Sequence, residues 1–337
     1  MRSIMRLSRK IPARFSTRPS RVRPSLNPVH STAGSSDVKQ HPHVPLSAIL
    51  LIVVASGCFS AVDVTVKHLS QRYPVPLLVW ARWGAQALVL LALMGPRMRL
   101  DLVRTTRLPL HLARGVVLIA SSLCFFSALA FLPLAEATAL NYTAPMLVTL
   151  MAAWFLRERL TRPRWAFVAA GFVGMLLIVR PGSEMLTPAA LLALGAAAFY
   201  ATYQILTRKL AGENLMVLMM YPSLVGSVLL SAAIPFVRFD ASYPAADLIA
   251  FVGLGIAAAL GHLLFVQAFQ SASASAIAPF TYVQLVWSTL AGWLLFSTFP
   301  DGWTLTGIVV IAGSGVVLTW YERWRANLPQ SEPAAVD

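Results

Sequence analysis

The chain has 337 residues, 57% of them hydrophobic and only 12% charged, with a mean hydropathy of +0.69. Soluble domains carry roughly a quarter charged residues, so this composition excludes an ordinary water-soluble fold and points to a membrane protein. The formal net charge of +14 invites a nucleic-acid reading, but the placement of that charge argues against one.

A helix needs roughly 20 residues to cross a hydrocarbon core of about 30 Å. After a basic tail (residues 1–45), ten apolar runs follow at about 46–68, 75–95, 108–131, 134–156, 165–180, 187–207, 214–237, 245–270, 274–296 and 303–321. They consume nearly all of the chain before a short tail at 322–337, leaving no room for a soluble catalytic domain. The predicted fold is an all-α membrane protein of ten transmembrane helices.

Lys and Arg concentrate at one end of these runs, in the tail and in the turns holding Arg97, Arg104, Arg107, Arg157, Arg162, Arg208 and Lys209. Lys67, Arg72, Arg180 and Arg238 are the few at the other end. This is the positive-inside asymmetry and predicts both termini in the cytoplasm, in a cell (inner) membrane. The tail is Arg- and Ser-rich and almost free of acid. It is compositionally similar to an organellar transit peptide, and equally fits a disordered lipid-binding tail or an upstream start codon.

A shift of 140 residues lays FSAVDVTVKHL (59–69) onto FYATYQILTRK (199–209) and also brings Ala128 onto Ala268, Tyr142 onto Tyr282 and Thr149 onto Thr289. One offset across three helix pairs marks an internal repeat, with halves at 46–182 and 187–321. Five helices per half is an odd number, so the second half enters the membrane in the opposite sense. Two inverted five-helix repeats result, an arrangement common in secondary transporters, whose halves exchange conformations to alternate access.

Polar residues inside the runs mark a candidate cavity, because ionisable groups at membrane depth face a bundle interior or water. In the first run Ser56, Ser60, Asp63 and Lys67 lie along one helix face. Asp63 and Arg82 both lie about 9–10 Å below the same end of their helices, and an ion pair between them is expected, with Lys67 reaching water. In the sixth run Tyr203 is the repeat partner of Asp63, and Gln204 shares a face with Tyr200 and Thr207. Asn141 and Tyr142 in the fourth run, Tyr282 and Gln284 in the ninth, and His262 and Gln267 in the eighth complete the candidate set. For Asp63 and His262 a purely structural role competes with cavity lining. Arg114 is expected to snorkel to the cytoplasm, and Cys58 and Cys124 read as packing residues. Gly171, Gly174, Gly307, Gly313 and Gly315 mark the fifth and tenth runs as close-packing buttresses.

ALNYTAPMLVTLMAAWFLRERLTRPRWAFVAAGFVGMLLIVRPG (139–182) and APFTYVQLVWSTLAGWLLF (278–296) resemble the two EamA-type repeats of the drug/metabolite transporter superfamily. The likeness departs at STFPD (297–301), where a glutamate is usual and Asp301 stands instead. It implies a central cavity within helices one to four and six to nine, and movement of small metabolites, often export of amino acids or related compounds. Uptake of riboflavin or of a nucleotide derivative is the alternative that the resemblance leaves open.

No GxxxxGK[ST], HExxH or GxSxG motif occurs, so the expectation is a carrier and not an enzyme, with no cofactor, no metal, no catalytic residues and no nucleic-acid partner. A channel or sensor is a remote alternative. Expected partners are a small-molecule substrate and membrane lipid; proton coupling and a homodimer are left open. The charge asymmetry makes a direct prediction. A reporter active only in the cytoplasm, fused to the C-terminus, should give full signal, and a silent fusion on a stably inserted protein would reverse the orientation.

Overall fold

The computed structural model describes residues 45–155, 157–182, 187–236, 244–272 and 274–326. The expected N-terminal tail, Arg238 and residues 327–337 lie outside the described residues.

Within each apolar run the backbone can satisfy its hydrogen bonds only internally, so helices form wherever the side chains permit. In the first half these are α1 (Leu46–Leu69), α2 (Val75–Met98), α3 (Leu108–Phe131), α4 (Leu134–Asn141), α5 (Ala144–Phe155) and α6 (Arg162–Val179). The second half contains α7 (Pro188–Lys209), α8 (Leu215–Ala233), α9 (Ala245–Ser271), α10 (Ala274–Thr281), α11 (Val283–Phe296) and α12 (Gly302–Ala326). Proline stands at the start of most of them, where its missing N–H costs nothing. Asn214 and Thr187 cap α8 and α7 by accepting from Met216 N at 2.8 Å and Ala190 N at 3.2 Å.

Eight of the helices are each long and apolar enough to cross a membrane. The other two spans are broken: α4 and α5 together make the fourth, α10 and α11 the ninth. The fourth and ninth runs each read as one span in the sequence, with Pro145 able to kink the fourth, and the structure interrupts both at the same repeat position, Tyr142 and Tyr282. The last helix also runs on to Ala326, five residues beyond its expected apolar end.

The packing pattern obeys an inverted repeat. The most extensive contacts are α1 with α9 and α3 with α7, and these two pairs exchange under the repeat operation. So do α2–α9 with α3–α8, and α1–α11 with α5–α7, while α2–α8 and α6–α12 map onto themselves. Large apolar side chains such as Val228, Ile249 and Leu294 stay exposed around the bundle, which suits a lipid environment and no aqueous one.

The α6–α12 pair shows how the repeats are tied. At their crossing a Cβ on Gly307 would lie 2.6 Å from Gly174 O, and one on Gly174 would lie 2.9 Å from Gly307 O. Two glycines are therefore needed for the backbones to approach this closely. The pair is fastened at one end by Arg180–Asp301 (2.7 Å) and at the other by Arg164–Glu322 (2.8 Å). The Thr304 N–H, with Arg180 beside it, holds the Asp301 carboxyl below the usual carboxylate range. Gly307→Ala should overpack the crossing and cost about 1–3 kcal/mol. A lowered thermal-unfolding midpoint in detergent, with insertion retained, is the expected result.

Candidate functional site

The polar face of α1 meets the broken ninth span near the middle of the bundle. Asp63 is 4% exposed, and its Oδ2 accepts a hydrogen bond from Gln284 Nε2 at 3.2 Å. Gln284 is the second residue of α11, just past the break, and its Oε1 lies 3.2 Å from the Tyr142 hydroxyl. That hydroxyl also donates to the carbonyl of Thr281 at 2.7 Å. Asp63, Gln284 and Tyr142 thus form one chain of polar contacts that joins the two repeats.

Arg82 does not complete it. Among the described residues no ion pair joins Asp63 to Arg82, although each lies within Coulomb range of the other. The guanidinium lies over the Trp83 ring (4.3 Å to the centroid) and over that of Phe126 (5.8 Å). Only Nη1 finds a protein partner, Ser122 Oγ at 3.4 Å, and the buried Nε finds none. Stacking on aromatic faces holds the planar group without using its donors. Asp63 Oδ1 likewise accepts nothing among the described residues. The expected salt bridge is thereby replaced by two opposite charges, each with an unused face.

Lys67, expected to reach water, is half-buried. Lys67 Nζ donates to the carbonyls of Leu129 (3.1 Å) and Leu132 (2.6 Å), capping the end of α3. Arg114, expected to snorkel, is instead 3% exposed. Its Nε donates to Thr207 Oγ1 (2.7 Å), Nη1 to Leu218 O (2.7 Å) and Nη2 to Tyr203 OH (2.6 Å). Tyr203 stacks on Tyr200 at 5.6 Å, and both rings lie within Coulomb range of Arg82 as well as Arg114.

The remaining sequence candidates divide. Tyr282 lies 5.4 Å from Tyr142, ring to ring. His262 Nδ1 sits 2.9 Å from Ala258 O, and its ring meets Phe59 edge-on at 4.9 Å and Trp83 at 6.4 Å. It closes the aromatic wall that carries Arg82. Asn141 is half-buried, with Oδ1 unpartnered. Gln204 is half-buried and makes no hydrogen bond among the described residues. Gln267 is exposed on the outside of α9, about 100° around the helix from its buried neighbour Ala268, and does not join the cluster.

Three polar groups escaped the sequence reading. Ser122 carries no charge and sits on no polar stripe, so nothing in the sequence marked it. Glu136, in the first turn of α4, is 7% exposed, with Oε2 unpartnered among the described residues. The third is a main-chain carbonyl, that of Thr281, visible only once the span is seen to break there.

The site therefore lies where two broken spans of inverted repeats meet, with an acid and a base held apart. Comparison with known proteins agrees with this geometry: the profile of the EamA-like transporter family matches residues 46–180 and again residues 187–320. The chain belongs to the EamA-like transporter family. A pseudopaline exporter of Pseudomonas aeruginosa is 30% identical over 276 residues, 81% of this chain and 96% of that protein. An S-adenosylmethionine uptake transporter of Rickettsia conorii is 27% identical, covering 82% of this chain and 93% of its own. A riboflavin transporter of Vibrio cholerae is 28% identical, covering 83% and 95%. One crystal structure superposes with a TM-score of 0.60 at 22% identity over 84% of this chain and 99% of the other, a likeness of fold.

This EamA-family chain is thus a multi-pass membrane transporter of small metabolites. Its relatives differ in cargo, so the local chemistry must carry the finer reading. Arg114 gives a structural prediction first. Arg114→Lys keeps the charge but loses the rigid three-way fork. At roughly 1 kcal/mol per lost hydrogen bond, it should cost about 1–3 kcal/mol, read as a lower unfolding midpoint; an unchanged midpoint would show that the fork adds nothing.

Proposed function

We propose that this transporter carries a zwitterionic metabolite, an amino acid or a compound with an amino-acid end, by alternating access. The observation that supports the reading is the unpaired acid and base. Among the described residues the Nε–Nη2 edge of Arg82 has no partner, and that edge offers two parallel N–H donors for a carboxylate. Asp63 Oδ1 accepts nothing among the described residues and can take an ammonium group. Two buried charges that do not neutralise each other are costly, and a ligand bearing both complementary charges removes that cost.

The relatives named for pseudopaline and S-adenosylmethionine handle molecules of this kind, whereas a riboflavin cargo would rely on the aromatic walls and leave both charges unmatched. The charge asymmetry of the turns supports insertion in the cytoplasmic membrane with both termini inside, and export is the direction proposed. The match of both halves to a transporter family supports the reading of a carrier and not an enzyme. A proton on Asp63 is a second way of balancing its charge in the empty state, which is how proton coupling would enter.

Purified protein in proteoliposomes tests this directly. Counterflow should be driven by zwitterionic amino acids or S-adenosylmethionine, and lost with N-acetylated or methyl-esterified analogues. Asp63→Asn and Arg82→Gln should each cut that flux about 10- to 100-fold at unchanged abundance, the scale of a charge-assisted hydrogen bond. The double variant should be little worse than either single one, because both hold one ligand. Riboflavin flux that survives both substitutions would sink the zwitterion reading.

A further inference from the structure

The break in the fourth span and the break in the ninth are the same feature in two copies, yet they are not in the same state. In an unbroken helix the carbonyl of residue i accepts from the N–H of residue i+4. Position 145 is proline, so the carbonyl of Asn141 has no such donor, and no other backbone or side-chain donor reaches it among the described residues. At the equivalent point of the second repeat, Leu285 N turns to Tyr282 O at 3.0 Å, and the carbonyl of Thr281 is released.

The released Thr281 carbonyl is capped from across the repeat boundary by the Tyr142 hydroxyl at 2.7 Å. The pseudo-symmetric counterpart of that bond runs from the Tyr282 hydroxyl to the carbonyl of Asn141, because both residue pairs are related by the offset of 140. It is absent. The Tyr282 hydroxyl makes no hydrogen bond among the described residues and rests instead against Gly315 of α12, where any side chain would collide with it. Asn141 is left with an unpartnered carbonyl and an unpartnered Oδ1. Inverted repeats work by exchanging conformations, so what one half does in this state the other half does in the opposite one.

We propose that Tyr142 and Tyr282 are the two positions of a cross-repeat switch: Tyr142 caps Thr281 in the state seen here, and in the oppositely facing state Tyr282 swings from Gly315 to cap Asn141. Each state then leaves one broken span capped and one uncapped, and the two states stay close in free energy, as rapid alternation requires. Tyr142 also touches Gln284, the donor to Asp63, so the switch passes beside the charged site. On this assignment both tyrosines are positioning residues. The inference rests on the transporter reading but on no particular cargo.

The test reads access and needs no substrate, so it can fail or succeed independently of the zwitterion proposal. In full-length protein carrying Cys58→Ser, Cys124→Ser and Ser60→Cys, a membrane-impermeant maleimide is applied from either face of oriented proteoliposomes. Tyr142→Phe removes the bond of the observed state and should shift the ratio of labelling from the two faces about five-fold in one direction, the worth of one hydrogen bond. Tyr282→Phe should shift it about as far in the other direction, and the double variant should return close to the starting ratio.

Pro145→Ala is an independent route to the same bond. It gives residue 145 an N–H for the Asn141 carbonyl, removes the need for Tyr282 and should mimic Tyr282→Phe. Shifts of both tyrosine variants in the same direction, no shift in either, or Pro145→Ala following Tyr142→Phe would overturn the switch. Absence of labelling from both faces in every variant would also count against it, since one state or the other must expose this face of α1.

Discussion

Within the hydrocarbon layer a peptide carbonyl that loses its helical donor has no water to turn to, and the centre of this protein is organised around two such carbonyls. A buried group left unpaired costs on the order of 1–3 kcal/mol, so a break in a spanning helix is stabilised where another part of the protein supplies the missing partner. At Thr281 that partner is the hydroxyl of Tyr142, from the other repeat. The break thereby becomes the point at which the two halves are coupled. Everything nearby is held from it: Gln284 lies just beyond the break, bridges to Asp63 and reads the position of Tyr142 through its other amide atom.

The electrostatics follow a related logic. Both cationic side chains inside the bundle are held in place by groups that leave the acid alone. Arg114 spends its donors on Thr207, Leu218 and Tyr203, and so welds α3 to α7 and α8. Arg82 is held by ring faces and keeps most of its donors unspent. A residue that welds and a residue that waits differ here only in whether the surrounding atoms are oxygens or carbons. The contrast separates framework from binding surface more clearly than burial does.

Around this centre the framework is built for relative motion of interleaved halves. The strongest helix contacts join one repeat to the other, α1 to α9 and α7 to α3, and they come in pairs exchanged by the repeat operation. The α6–α12 crossing lies on the pseudo-symmetry element itself. There two glycines bring the backbones into contact, and ion pairs close both ends with their charges transposed: the first repeat ends in a base that meets an acid, the second in an acid that meets a base.

Much of this was legible in the order of residues. Apolar run length determines spans because the bilayer thickness is a constant, and an odd number of spans per repeat determines inversion by counting alone. Asp63, Tyr142, Tyr282 and Gln284 stood out because polar atoms in apolar runs are expensive and must be used. Other features were decided only by the tertiary structure. Asp63 and Arg82 share a depth, but whether they touch depends on helix rotation, and the rings of Trp83 and Phe126 hold the guanidinium elsewhere. Arg114 and Lys67 looked bound for water because their sequence positions are near helix ends, whereas the acceptors that retain them come from other helices. The break at Tyr282 was hidden because hydropathy records side chains and is blind to which backbone carbonyl lacks a donor, whereas at Tyr142 the nearby Pro145, which removes a donor, was the one sign of it. Sequence alone determined which residues could not face lipid; three-dimensional packing decided which partner each of them found, because hydrogen bonds and ion pairs depend on distances of a few ångströms between segments far apart in the chain.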